Sequence, residues 1–368
     1  MSPLEEVSTG ALQGGEWLQQ GRSGGGEADG ADAVNQVQDN MEAVRLWRCE
    51  KGVYESIQNV IQVKRGAESS GAAGSEGKES EGGETLVLLT TRETQTDPPQ
   101  LIERQLAISA GHRHPGGSPR DDGPSCSPAH TVTSFPHPQP ALIGVNKELI
   151  KYERADGLEL SGMLYTPSGY DASTDGPLPT ILWAYPREYK SSVSAAQVVG
   201  SPFKFILVPR TSPLLWLSRG YAVLDNPSMP IVGEDGQEEN DKFVEQLVAN
   251  AQAAVDALVR RGVADHRLAV GGHSYGAFMA CNLLAHSRIF RAGIGRSGAY
   301  NRLLTPFGFQ SEERTLWEAP EVYMKMSPFA NADKIDAPLL LFHGAEDNNP
   351  GGQREGGRER EREGETER

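Results

Sequence analysis

One stretch constrains this chain more than any other: Leu268 to Ser287, LAVGGHSYGAFMACNLLAHS. Leu268-Ala269-Val270 reads as a short buried strand. Ala277 to Ser287 reads as a helix whose apolar face holds Phe278, Leu283 and Leu284 with Ala277 and Ala280. Between them stands Gly272-His273-Ser274-Tyr275-Gly276. Strand, G-x-S-x-G and helix in that order predict a sharp turn that lifts the Ser274 hydroxyl above a sheet. Such a turn requires glycine on both sides, because a side chain at Gly272 or Gly276 would meet the neighbouring strand or helix. The backbone N–H of Tyr275 then opens a helix, where it faces negative charge developing beside the serine. A bare G-x-S-x-G is weak in a chain with 42 Gly, so the flanking strand and helix give it its meaning.

Only 37% of the 368 residues are hydrophobic, which places much of the length outside a packed core. Residues 1–40 lack periodicity and read as disordered. Residues 41–109 hold strand candidates at Thr85–Thr91 and Leu101–Ile108 around a Gly/Ser/Glu-rich insert at 66–84. Residues 110–134 read as a linker. Its His112 and His114 have no acid or cysteine cluster beside them, so a solvated loop is expected rather than a metal site. Residues 135–350 carry the ordered pattern, and 351–368 form an Arg/Glu/Gly tail with no apolar residue. A net charge of −15 with no basic cluster argues against nucleic-acid or anionic-membrane partners. Three scattered cysteines suggest neither a disulfide framework nor a zinc site. The N-terminus has neither a signal-peptide core nor a basic transit pattern, and no segment is apolar enough to span a membrane.

Within 135–350, Leu158–Leu164 alternates like a half-buried strand, and Thr180–Trp183 and Gly220–Leu224 read as strands. Asn240–Arg261 predicts an amphipathic helix with Phe243, Leu247, Ala251, Ala254, Val255 and Leu258 on one face and Gly262 as its stop. The acids from Glu234 to Asp241 read as a solvated loop before that helix. Ala292–Ile294 and Pro338–Phe342 are the last strands, the second expected to be buried. Strands alternating with helices predict an α/β fold of the α/β-hydrolase type, a doubly wound, mostly parallel sheet. In that layout a serine on the turn needs a base, and the base an orienting acid placed after a later strand. Asp347 stands there, with Glu346 as the competing acid. No histidine follows Asp347; His343 precedes it, reading as a structural support for the acid loop, and the ring of His273 is expected to point away from Ser274.

The segments FPHPQP at 135, RADGLELSGMLYTP at 154, GPLPTILWAYPREYKS at 176, PIVGEDGQEEND at 230, RSGAYNRLLTPFGFQSEERTLWEA at 296 and LLLFHGAEDNNPG at 339, with the stretch around Ser274, resemble the prolyl oligopeptidase family of serine peptidases, and within it a glutamate-specific plastid branch. The resemblance covers somewhat over half the chain. It implies Ser274 as nucleophile, Asp347 as acid, and an oxyanion hole made by the Tyr275 N–H and the Tyr185 hydroxyl. A phenol at a strand end beside the turn suits that role on physical grounds as well. Arg296 falls where the first substrate pocket is lined, and a guanidinium there would pair a glutamate side chain; pairing with a loop acid is the alternative. Asn349 matches a polar position near the substrate. The implied partners are peptide substrates, with no cofactor or metal, in the plastid stroma or otherwise the cytoplasm. VRLWRCEKGVYESI at 44 and LVLLTTRETQTDPPQLIERQL at 86 resemble the closing blade of the family's β-propeller, and one blade alone is expected to be poorly ordered. The family's catalytic histidine follows a further strand after the acid, so the hydrolase fold reads as incomplete at its C-terminus and the chain as written as lacking its base. A catalytically dead peptide or partner binder, and a general esterase on the same fold, are the competing readings.

Overall fold

The structure, a computed structural model, describes residues 52–64, 84–108, 125–126, 128–197, 201–233, 238–344 and 347. The expectations for 1–40, the insert, His112, His114, Glu346, Asn349 and the tail fall outside these residues. The chain divides into two compact units, residues 1–138 with 203–206, and residues 139–202 with 207–368.

In the first unit β1 (Tyr54–Lys64), β2 (Glu84–Glu93) and β3 (Gln100–Ile108) form an antiparallel meander, and β4 (Ser125–Cys126) and β5 (His130–Thr131) pair with β3. The described residues here form a five-stranded sheet. Leu86, Leu88, Ile102 and Leu106 are buried. Buried Glu55 accepts from Arg104 Nε and Nη2 at 2.8 and 2.8 Å, and from Thr90 Oγ1 at 2.6 Å. A carboxylate satisfied this fully pins β1, β2 and β3 together.

The second unit is built on a seven-stranded sheet. Its strands are β6 (Asn146–Glu153), β7 (Glu159–Thr166), β8 (Leu178–Trp183), β10 (Ala222–Asp225), β12 (Ala264–His273), β13 (Ala292–Arg296) and β14 (Leu339–Phe342), in the order β14-β13-β12-β8-β10-β7-β6. Strands β10, β8, β12, β13 and β14 run parallel, and β7 and β6 are antiparallel additions at one end. A separate short parallel pair joins β9 (Arg187–Tyr189) to β11 (Pro230–Val232). Helix α1 (Phe243–Arg260) leads into β12, α2 (Tyr275–His286) joins β12 to β13, and α3 (Pro320–Met326) precedes β14. This is the mostly parallel, helix-connected sheet that the alternating pattern predicts.

The six residues expected on the apolar face of α1 are all buried, and Gly262 takes the left-handed conformation, φ 71, just past its end. Helix α2 exceeds the expectation, since every residue from Tyr275 to Ala285 is buried rather than one face. Strand β7 does not alternate. Ser161 and Tyr165, on the face opposite Leu160, Gly162 and Leu164, are buried as well, and the Ser161 carbonyl accepts from the Ser228 N–H at 2.7 Å. Strand β14 is the edge of the described sheet, and Leu340, Leu341 and Phe342 are half exposed rather than buried. The Glu234–Asp241 stretch is not simply solvated. Glu239 and Asn240 are buried in the turn that opens α1 against β9 and β11, and Asp241 pairs with Arg314 at 2.8 Å.

Truncating fully buried Leu247 to Ala should cost about 2–5 kcal/mol, while Val259→Ala, on the exposed side of the same helix, should stay within about 0.5 kcal/mol. Urea titration of the two variants measures the difference. Equal midpoint shifts would contradict this orientation of α1.

Candidate active site

Parallel pairing brings the strand ends level. His273 pairs with Arg296, Arg296 with Phe342, and Trp183 with both Gly271 and Asp225, so the loops after β8, β12, β13 and β14 leave from one edge. Ligand sites in open α/β sheets form outside this carboxyl edge. Tyr185, Ser274 and Asp347 all stand just beyond it.

Ser274 has φ 56 and ψ −117, a conformation only glycine adopts freely, and it is the residue that caps α2. Its N–H donates to the Arg296 carbonyl at 2.9 Å, which stitches the turn to β13. A Cβ at Gly272 would lie 2.4 Å from the Gly276 backbone, and one at Gly276 would lie 2.2 Å from the Ala184 carbonyl oxygen. Both glycines are therefore required, one facing the helix and the other the end of β8. The strain at Ser274 is held by backbone contact on both sides.

The N–H of Tyr275 belongs to the first turn of α2, where helix N–H groups have no partner within the helix. Its buried ring stacks on Phe278 at 5.2 Å, and the exposed ring of Tyr185 meets it edge-on at 5.8 Å. The rings of the two residues expected to supply the oxyanion donors are thus in contact. The Tyr275 hydroxyl donates to Glu188 Oε1 at 2.6 Å. Burial pushes the Glu188 carboxyl up, and the bond from Tyr275 and the nearby Arg302 charge oppose this only in part. Arg302 is 3% exposed, with its guanidinium 4.3 Å from the Phe278 ring centroid, 4.6 Å from Phe309 and 5.6 Å from Tyr275. The sequence reading singled out neither Glu188 nor Arg302. Both lie inside the segments that carry the resemblance, but nothing in their local pattern marks them as buried.

Arg296 closes β13 with its guanidinium 5.6 Å from the Trp183 ring. It donates from Nη1 to the Thr211 carbonyl at 2.9 Å and from Nε to His273 Nδ1 at 3.3 Å. Its local partners are therefore a carbonyl and an imidazole, not a loop acid. Asp347 folds back so that its N–H reaches the Gly344 carbonyl at 3.1 Å and its Oδ2 lies 3.5 Å from His343 Nε2. His343 and the acid thus share one loop after β14. Among the described residues, no imidazole is hydrogen-bonded to Ser274 Oγ, no group of three His, Cys, Asp or Glu side chains is arranged to hold a metal ion, and no helix is long and apolar enough to cross a membrane.

Residues 216–353 match the prolyl oligopeptidase family. The chain is 60% identical over 222 residues to the probable chloroplastic glutamyl endopeptidase of Arabidopsis thaliana, and 59% identical over 222 residues to the protein of the same name from Oryza sativa subsp. japonica. These alignments take in 60% of this chain but only 23% and 24% of the relatives' own lengths. Among solved structures, the acylaminoacyl peptidase of Pyrococcus horikoshii aligns at 21% identity over 70% of this chain and 38% of its own, with a TM-score of 0.46.

Two outcomes follow from this geometry. Ser274→Gly should stabilise the fold by about 1 kcal/mol by relieving a positive φ, whereas Gly276→Ala should cost more than about 3 kcal/mol. Thermal denaturation of both tests this, and a Ser274→Gly variant less stable than the parent would refute strain at the turn. For Glu188, a raised folded pKa means that the native state holds its proton more tightly than the unfolded chain. Stability then falls as pH rises above the ordinary value of 4.5. Glu188→Gln, which keeps the acceptor for Tyr275, should flatten that fall in urea titrations run from pH 4 upward (~pH 4 to 8).

Proposed function

We propose, from the premise that this chain carries a peptidase domain of the prolyl oligopeptidase family, that Ser274 is the nucleophile of an endopeptidase that cleaves after glutamate. The observation that carries the reading is the strained Ser274, held by Gly272 and Gly276 beside the paired rings of Tyr185 and Tyr275. Ser274 Oγ attacks the peptide carbonyl carbon, and the carbonyl oxygen takes up the negative charge. The Tyr275 N–H and the Tyr185 hydroxyl are the donors placed to hold it. Collapse of the adduct breaks the C–N bond, and the serine proton leaves on the departing amine. Water then hydrolyses the acyl-serine.

Asp347 orients the base that carries this proton. The imidazole beside the acid is His343, on its own loop. An activated ester needs less help from a base, so acylation of Ser274 is the step to read. Peptide substrates with a glutamate before the cleaved bond are the proposed partners, Asn349 a proposed substrate-facing group, and the plastid stroma the proposed location, as the relatives' names suggest.

Incubation with an N-acylglutamate nitrophenyl ester, followed by peptide mapping, should find the acyl group on Ser274, and none in Ser274→Ala. Equal labelling by a simple acetyl ester would favour a general esterase instead. Labelling that survives in Ser274→Ala would remove the nucleophile from the reading.

A further inference from the structure

The guanidinium of Arg302 is a buried cation with no anion bound to it among the described residues. Its two faces are taken by Phe278 and Phe309, at 4.3 and 4.6 Å. Aromatic faces suit a guanidinium plane but leave the N–H groups on its edge unserved. Nε is buried and has no hydrogen-bond partner among the described residues. The comparably buried Arg154 shows the contrast, with two bonds to Asp156 at 2.8 and 2.7 Å and one to Asn250 at 2.8 Å. Glu188, the acid nearest in charge to Arg302, is engaged by Tyr275 and forms no ion pair with it.

The placement of this cation is fixed by its own backbone. The Arg302 N–H donates to Ser327 Oγ at 2.8 Å, and Asn301 Oδ1 caps the turn by accepting from Leu303 at 3.1 Å. The side chain reaches the ring of Tyr275, which follows the nucleophile, and its charge is felt at Tyr185. Holding a desolvated cation without a partner is costly, and such a cost is expected where a ligand supplies the anion.

We propose that Arg302 anchors the carboxylate of the substrate residue whose carbonyl Ser274 attacks, its free N–H edge closing a bidentate pair with that side chain. The inference rests on the peptidase reading above and deepens it by naming the residue that selects glutamate. It also separates two arginines, since Arg296 already spends two donors on Thr211 and His273.

Calorimetric binding of N-acetyl tripeptide amides ending in glutamate or glutamine tests it on the full chain. The glutamate peptide should bind about 10- to 100-fold more tightly, the value of a desolvated charged pair. R302M should bring that ratio to about 1, whereas R267M, at an exposed arginine paired with Asp265, should keep it. R302M should also unfold at a temperature no lower than the parent, because Met replaces an unpaired buried charge. A merely structural arginine would lower the melting temperature and leave the ratio alone. If R302M does not fold, R302K carries the test and should show a reduced ratio. A ratio unchanged in a folded Arg302 variant, a ratio lost in R296M but not in R302M, or no preference in the parent would overturn the assignment. Failure of the peptidase reading would appear separately, as no acylation of Ser274 in the parent chain, because the binding ratio does not depend on that step.

Discussion

The contact between Gly276 and the carbonyl of Ala184 governs the geometry of the whole carboxyl edge. There is no room for a Cβ, so helix α2 rests its first turn directly on the end of β8. The Ala184 N–H donates to the Gly271 carbonyl at 3.1 Å, which ties the same residue to β12. Tyr185 is next in the chain, and Tyr275 precedes the glycine that makes the contact. One backbone approach therefore sets the spacing of Tyr185 and Tyr275, and Ser274 is strained because it must turn the chain within it. The complete burial of α2 follows from the same arrangement. A helix seated this close to the sheet, with α1 packed at its side, has no face left for solvent.

Polar groups under the turn work against stability. Glu188, Tyr275 and Arg302 are gathered among Phe243, Phe278 and Phe309, where every charge loses hydration. Only the Tyr275–Glu188 bond is fully made. Elsewhere the buried charges are well served, as at Glu55 with Arg104, or Glu312 with Arg314 at 2.7 Å. Buried side-chain atoms without a partner among the described residues include Arg302 Nε and also atoms of Asn240, Asn282, His286 and Tyr300, so incomplete satisfaction extends beyond the surroundings of the serine.

Much of this architecture is legible in the sequence. The G-x-S-x-G turn, the parallel strands and the buried face of α1 follow from periodicity and glycine placement alone, because these depend on neighbours within a few residues. What escapes depends on distant contacts. Strand β7 reads as alternating, yet Ser161 and Tyr165 on its second face are buried too, Ser161 where the Ser228 backbone N–H meets its carbonyl. Strand β14 reads as buried from its run of leucines, yet exposure is decided by its place at the sheet edge. Glu239 reads as solvated in an acidic stretch, and packing against β9 and β11 buries it. Arg302 stands in a segment of mixed polarity, and nothing local predicts that two phenylalanines, 24 positions before it and 7 after, will enclose it.

The two arginines near the serine show why burial, rather than proximity to a strand end, decides selectivity. Arg296 is partly exposed, and water screens whatever charge it meets, so a pair formed there is worth about 0–1 kcal/mol. Arg302 is dry, its desolvation is already borne by the fold, and a carboxylate reaching it gains an interaction that water does not compete for. The neighbouring Glu188 would repel such a carboxylate if it carried a full, unshared charge. Its bond from Tyr275 shares that charge and reduces the repulsion. Tyr275 thus links the turn to the acid beneath it, with its N–H in the first turn of α2 and its hydroxyl donating to Glu188.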